Sequence, residues 1–148
     1  MSRVEKDPQD GRNMLRLEKY LRSVLAGQSD VAAVYLLGSA LSGKMRRDSD
    51  IDLALLPVTG QKISMRTRLE LAAQLEERLN RTIDIGVITA QNLVYAREAI
   101  LNGRRLVTLH RDDTEAAETR LLGSYFTFRQ DRKEVEESYR VVRQCRPE

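Results

Sequence analysis

The chain has 148 residues, 41% of them hydrophobic and 32% charged, which suits one compact domain with a core of its own. A net charge of +3 is too mild to argue for nucleic acid. Lone Cys145 excludes an internal disulfide, and with no signal peptide, long apolar run, repeat or low-complexity stretch the chain is expected in the cytoplasm, away from any membrane.

Residues 1–11 are polar, contain Pro8 and are expected to be loose. From Arg12, the residues Met14, Leu17, Leu21, Val24 and Leu25 recur at helical spacing, so a first helix should run to about Ala26 and stop at Gly27. Val31 to Leu37 is nearly all apolar and reads as a strand buried on both faces. The apolar run breaks at Gly38-Ser39 and crosses a basic loop with Lys44, Arg46 and Arg47. It then resumes as a second strand through S-D-I-D-L-A-L-L, which Pro57 and Gly60 end.

That second strand carries the chemistry. Side chains alternate across a strand, so Asp50 and Asp52 point one way while Ile51, Leu53 and Leu55 point into the apolar face. Two same-face carboxylates about 7 Å apart along the strand repel one another unless a positive charge lies between them. A divalent cation is the usual answer, and magnesium prefers carboxylate oxygens. Gly38-Ser39 adds a flexible turn, backbone N–H groups and a hydroxyl at the end of the preceding strand, where a helix start would face an anion. An anion cradle beside a metal-carboxylate pair is the layout of a nucleoside triphosphate site. Lys44, Arg46 and Arg47 serve equally well as a solvated loop or as phosphate ligands.

Ser64 to Asn80 reads as a second helix, with Met65, Leu69, Ala72, Leu75 and Leu79 as its buried stripe. In the next strand, Arg81 to Ile88, Ile83, Ile85 and Val87 share one face and leave Asp84 and Gly86 on the other. If this strand pairs with the second, Asp84 joins Asp50 and Asp52 in a carboxylate triad. Thr89 is a candidate N-cap for a helix through Leu101, closed by Asn102-Gly103. Arg105 to Leu109 is a short edge strand, followed by His110, a surface loop residue. Asp112 and Glu115 have capping-box spacing and open a final helix toward Arg143, with Gly123 a possible break. On it Leu121, Tyr125, Phe128, Val135, Tyr139 and Val142 follow a spacing near 3.5, with Arg132 interrupting and Phe126 off the stripe.

Gly-Ser, a ten-residue spacer (Ala40 to Ser49) and Asp50-Ile51-Asp52, with Asp84 downstream, resemble the nucleotidyltransferase superfamily that includes DNA polymerase beta. The small size, the S-D-I-D-L run and the R-T-I-D-I strand narrow the likeness to the minimal nucleotidyltransferases, especially antitoxins encoded beside HEPN-type toxins. The resemblance covers about Leu15 to Tyr139. It implies an α/β nucleotidyltransferase fold, a small mixed sheet flanked by helices. Its core would span residues 12–111, and residues 112–148 would form a C-terminal helical extension of the same domain.

By that resemblance Gly38 and Ser39 contact the triphosphate of ATP, Asp50 and Asp52 hold magnesium, as a two-ion site in the family manner, and Asp84 completes the site and helps deprotonate the attacking hydroxyl. The family often carries Ala-Arg-Gly after Gly-Ser-x. Here the run is A-L-S-G, so Ser42 replaces the basic residue and triphosphate contacts are expected from Lys44, Arg46 or Arg47. The implied activity is transfer of AMP from ATP to a tyrosine of a HEPN-type RNase toxin. Tyr125, Phe126, Phe128 and Tyr139 are a candidate contact for that toxin. Two other functions remain open: neutralisation of a toxin by binding alone, and nucleotidyl transfer to a small molecule of the aminoglycoside type, against which the absence of an added substrate domain counts.

Overall fold

The computed structural model describes residues 8–38 and 50–144, with side chains from 12–38 and 50–141. Ser39, Lys44, Arg46 and Arg47 therefore lie outside the described residues. In chain order the elements are α1 (Pro8–Leu25), β1 (Val31–Leu37), β2 (Ile51–Pro57), α2 (Met65–Leu79), β3 (Ile83–Val87), α3 (Leu93–Arg97) with a π-helical turn (Glu98–Asn102), β4 (Arg104–Thr108) and α4 (Arg111–Gln144). The strands make one mixed sheet in the order β3-β2-β1-β4. β1 is antiparallel to both of its neighbours, and β2 and β3 run parallel. The parallel pair is possible because α2 supplies the crossover between them.

Each face of the sheet has its own apolar layer. On one, Ile51, Leu53, Leu55, Ile83 and Ile85 pack against Leu17, Leu21 and Leu25 of α1 and Leu71 and Leu75 of α2. On the other, Ala33, Tyr35, Ala54 and Leu56 meet Ala96 and Ala99 of the α3 segment and Ala117 and Leu121 of α4. Period-2 alternation within β1 and β2 thus feeds two cores at once, which is why both strands read as continuously apolar. Tyr35 is fully buried and donates its hydroxyl to Glu118, whose carboxylate also receives Arg105 Nη1 at 3.1 Å. This polar knot fastens α4 to the middle of the sheet.

Several boundaries differ from the sequence expectations. α1 starts at Pro8, so residues 8–11 of the expected loose terminus are helical; proline suits a first turn because its fixed φ is already helical and its missing N–H would have had no partner. Asp50 immediately precedes β2 instead of lying in it. The stripe of α2 that meets the sheet is Leu71 and Leu75 with Ala72 and Leu79 beside them, while Met65 and Leu69 face solvent. Asn92, not Thr89, caps α3, accepting from the Tyr95 amide at 3.1 Å. The reason is that Ile88 N–H still bonds Leu55 O at 2.9 Å, so residues 89–91 are needed to leave the sheet. Gly103 closes the π turn in extended conformation; a Cβ there would lie 2.3 Å from Ala99 O. The capping box at α4 does not form, because the helix starts at Arg111, which puts Asp112 inside its first turn, and Glu115 accepts from Arg111 Nε at 3.2 Å.

α4 runs unbroken through Gly123. At 34 residues it is about 51 Å long. Only its first third is anchored, by Thr114, Ala117 and Leu121. Tyr125 is half-buried under Arg97, whose guanidinium sits 5.4 Å from the ring centroid. From Phe126 to Val141 every residue is exposed, including Phe126, Phe128, Val135 and Tyr139.

Candidate active site

The site forms where β1 ends and β2 and β3 begin. Leu37, the last residue of β1, is the register partner of Asp52 on β2, and Asp52 is in turn the partner of Asp84 on β3. Gly38 follows at φ +76°, a left-handed conformation that glycine adopts without strain. A Cβ on it would sit 3.0 Å from Asp52 Oδ2. The Gly38 backbone thus lies directly against the Asp52 carboxylate, and it takes a residue with neither a side chain nor a φ preference to do so.

Asp52 and Asp84 lie side by side on the face that carries α3, and Asp50 stands exposed just before β2. Burial raises the Asp52 pKa from its usual value, and the charges of Asp84 and then Asp50 raise it further. Among the described residues no salt bridge neutralises any of the three. The three expected carboxylates therefore share one electrostatic neighbourhood. They make an open row: among the described residues no three candidate ligands are gathered into a metal cluster. Magnesium, which keeps several of its waters and takes only one or two protein carboxylates, fits a pair such as Asp52 and Asp84.

Two residues at the site escaped the sequence reading. Gly86 is the next position after Asp84 on the same face of β3, and Tyr95 of α3 drops its phenol into the space; a Cβ on Gly86 would lie 2.1 Å from Tyr95 Oη. Burial, then Asp84, then Asp52 raise the Tyr95 pKa, while Arg68 opposes them, so the hydroxyl keeps its proton. Arg68 of α2 donates from Nε at 3.1 Å and Nη2 at 2.7 Å to Ile85 O. The sequence signal for Tyr95 is Gly86 itself, since a glycine inside a strand marks close approach by another group. For Arg68 the sequence holds no such signal. His110 is exposed and belongs to the start of α4, where its carbonyl accepts from Thr114 N and Oγ1.

The protein adenylyltransferase MntA of Shewanella oneidensis is 30% identical over 80 residues, which cover 54% of this chain and 56% of that protein. The alignment thus spans only about half the relative's length. In a crystal structure of a toxin-antitoxin with AMP-PNP, a chain with 23% identity superposes with a TM-score of 0.65, over 82% of this chain and 97% of that one. A chain from the complex of the tri-AMPylated Shewanella oneidensis HEPN toxin with its MNT antitoxin gives a TM-score of 0.63 at 22% identity, over 88% and 98%. At such identities the likeness is one of fold. The family model described as Polymerase beta, Nucleotidyltransferase matches residues 19–112, from within α1 to the first turn of α4. That span is well over half the chain and contains the whole sheet with its carboxylate row, and the chain accordingly belongs to the polymerase beta nucleotidyltransferase family.

Proposed function

We propose that the chain is a magnesium-dependent adenylyltransferase that moves AMP from ATP to a tyrosine hydroxyl of a HEPN-type RNase toxin, and so acts as that toxin's antitoxin. The observation that carries this reading is the Asp52 and Asp84 pairing on adjacent parallel strands with the Gly38 turn folded against Asp52. Family membership supplies the reaction class, and the names of the similar proteins suggest donor and acceptor.

In this reading Asp50, Asp52 and Asp84 hold magnesium, which would supply charge neutralisation at the transferring phosphate. The backbone at Gly38, with Ser39 and the basic residues Lys44, Arg46 and Arg47, holds the triphosphate. Asp84, exposed on the edge strand, receives the acceptor's proton. The acceptor comes from another protein, and the stripe of α4 formed by half-buried Tyr125 and exposed Phe128 and Tyr139, with exposed Phe126 beside it, is its docking face. No described helix is long and apolar enough to cross a membrane, and we place the protein in the cytoplasm, where ATP and an RNase toxin meet.

The test is intact-mass spectrometry of a cognate HEPN toxin incubated with this protein, magnesium and ATP. A gain of one or more AMP units that disappears with Asp50→Asn/Asp52→Asn is expected. The length of exposed α4 also favours a second reading, neutralisation by binding alone. It would be established by a stable complex in which the double variant still silences the toxin.

A further inference from the structure

We propose that Tyr95 is a positioning residue of the carboxylate site: its hydroxyl, seated on Gly86 next to Asp84 on the same strand face, donates toward Asp84 through one water and sets how Asp84 and Asp52 face a divalent cation. The inference rests on the reading of these carboxylates as metal ligands.

The local structure leaves the phenol little freedom. Asn92 caps α3 by accepting from the amide of Tyr95 itself, so the residue that reaches the site is the one whose backbone the cap fixes. Ala96 and Ala99, both fully buried, let the helical segment approach the sheet closely. The hydroxyl then occupies the volume that any side chain at position 86 would fill, since a Cβ there would meet Oη at 2.1 Å. Asp84 and Gly86 are consecutive positions on one strand face, about 7 Å apart. The phenol therefore lies next to Asp84 at the inner end of the carboxylate row.

The chemistry of a hydroxyl fits this position. A cation there would compete with the metal, and a further carboxylate would add another negative charge beside Asp52 and Asp84. A protonated phenol does neither, yet it can hydrogen-bond a carboxylate oxygen and fix its direction. Arg68 keeps its guanidinium on Ile85 O, between Asp84 and Gly86 in sequence, and so steadies the strand on which the phenol rests. Hydrogen-bonding groups behind metal ligands commonly change metal affinity by about 10- to 100-fold when removed.

The test is Mn2+ binding to the nucleotide-free protein, followed by the spin resonance of the free ion, with thermal melting alongside. Tyr95→Phe keeps the ring and removes only the hydroxyl. It is expected to bind Mn2+ about 10-fold more weakly while its metal-free melting temperature stays close to the parent's. Gly86→Ala displaces the hydroxyl without altering Tyr95, and the double variant should bind no more weakly than the poorer single one, because both changes break the same contact. Parental Mn2+ affinity in Tyr95→Phe, or losses that add in the double variant, overturns the proposal and leaves Tyr95 a packing residue. Asp52→Asn is the control. If it too binds Mn2+ as the parent does, the carboxylates are not metal ligands, and both the metal-site reading and the role of Tyr95 fail together.

Discussion

Gly38 and Gly60 allow the geometry of the site to be separated from backbone strain. Both hold positive φ, +76° and +83°, and an alanine at either is expected to cost about 1–2 kcal/mol for the left-handed conformation. In a chain of this size that lowers the melting temperature by about 2–8 °C. The two differ in what the new methyl meets. At Gly60, beyond the far end of β2, there is nothing within 4 Å, whereas at Gly38 the Cβ falls 3.0 Å from Asp52 Oδ2. Ordinary carbon–oxygen contact needs a few tenths of an ångström more, so the Asp52 carboxylate or the turn must yield. Displacing a reacting group by 1 Å costs about 100-fold in rate, and a shift of a few tenths is therefore worth roughly 5- to 10-fold. Gly38→Ala and Gly60→Ala should thus melt alike, while only Gly38→Ala slows AMP transfer, read as pyrophosphate release at saturating magnesium. Equal rates in the two variants, with equal melting shifts, would refute the claim that the turn after β1 sets the position of Asp52.

The raised pKa of Asp52 has a stability consequence whose sign is fixed. The folded state holds this proton more tightly than the unfolded chain, whose value is near 3.8, so the contribution of Asp52 to stability falls as pH rises from there through the folded pKa. In EDTA, Asp52→Asn should melt above the parent at about pH 7 and lose that advantage at about pH 3, where the parent's Asp52 is itself largely protonated in both states; a lower melting temperature at pH 7 would contradict the argument from burial and like charge. The Tyr35–Glu118–Arg105 knot gives an asymmetric pair of variants. Tyr35→Phe leaves Glu118 its Arg105 partner and should cost about 1 kcal/mol, whereas Glu118→Ala strands a fully buried hydroxyl and should cost about 1–3 kcal/mol, measured by urea unfolding. The reverse order would mean that α4 is held by apolar packing alone.

Alternation made Asp84 legible. In R-T-I-D-I-G-V-I the apolar residues claim one face, and β3 does pair in register beside β2, with Asp84 opposite Asp52. The buried face of α2 was not legible, because Met65 and Leu69 lie on a stripe adjacent to that of Leu71 and Leu75, and only docking on the sheet selects between them. The cap of α3 was ambiguous for a similar reason. Thr89 and Asn92 are both good caps, and the choice depends on how far the β3 ladder persists, which local sequence does not encode. Tyr95 and Arg68 reach the site only through tertiary placement of α3 and α2, so no spacing rule would assemble them with Asp84. Gly123 pointed to a break that α4 does not have; one helical glycine costs about 1 kcal/mol, which the flanking turns absorb.

The strand that carries Asp84 is an edge strand, and that placement couples α2 to the site. Thr82 O and Ile88 N–H bond β2, so the intervening Ile83 N–H and Ile85 C=O point outward, where an exposed edge would invite another chain. α2 blocks both positions: Glu76 Oε1 accepts from Ile83 N at 3.0 Å, and Arg68 donates twice to Ile85 O. These two contacts sit on either side of Asp84 in sequence and pin its backbone from outside while β2 pins it from within. The outer side of the carboxylate row, where Asp84 is exposed, can then stay open without the strand itself becoming adhesive. The same α2 that makes the parallel crossover possible thus also fixes the carboxylate on its outermost strand, and substitutions at Glu76 or Arg68 reach the site through Asp84, although neither side chain belongs to the row.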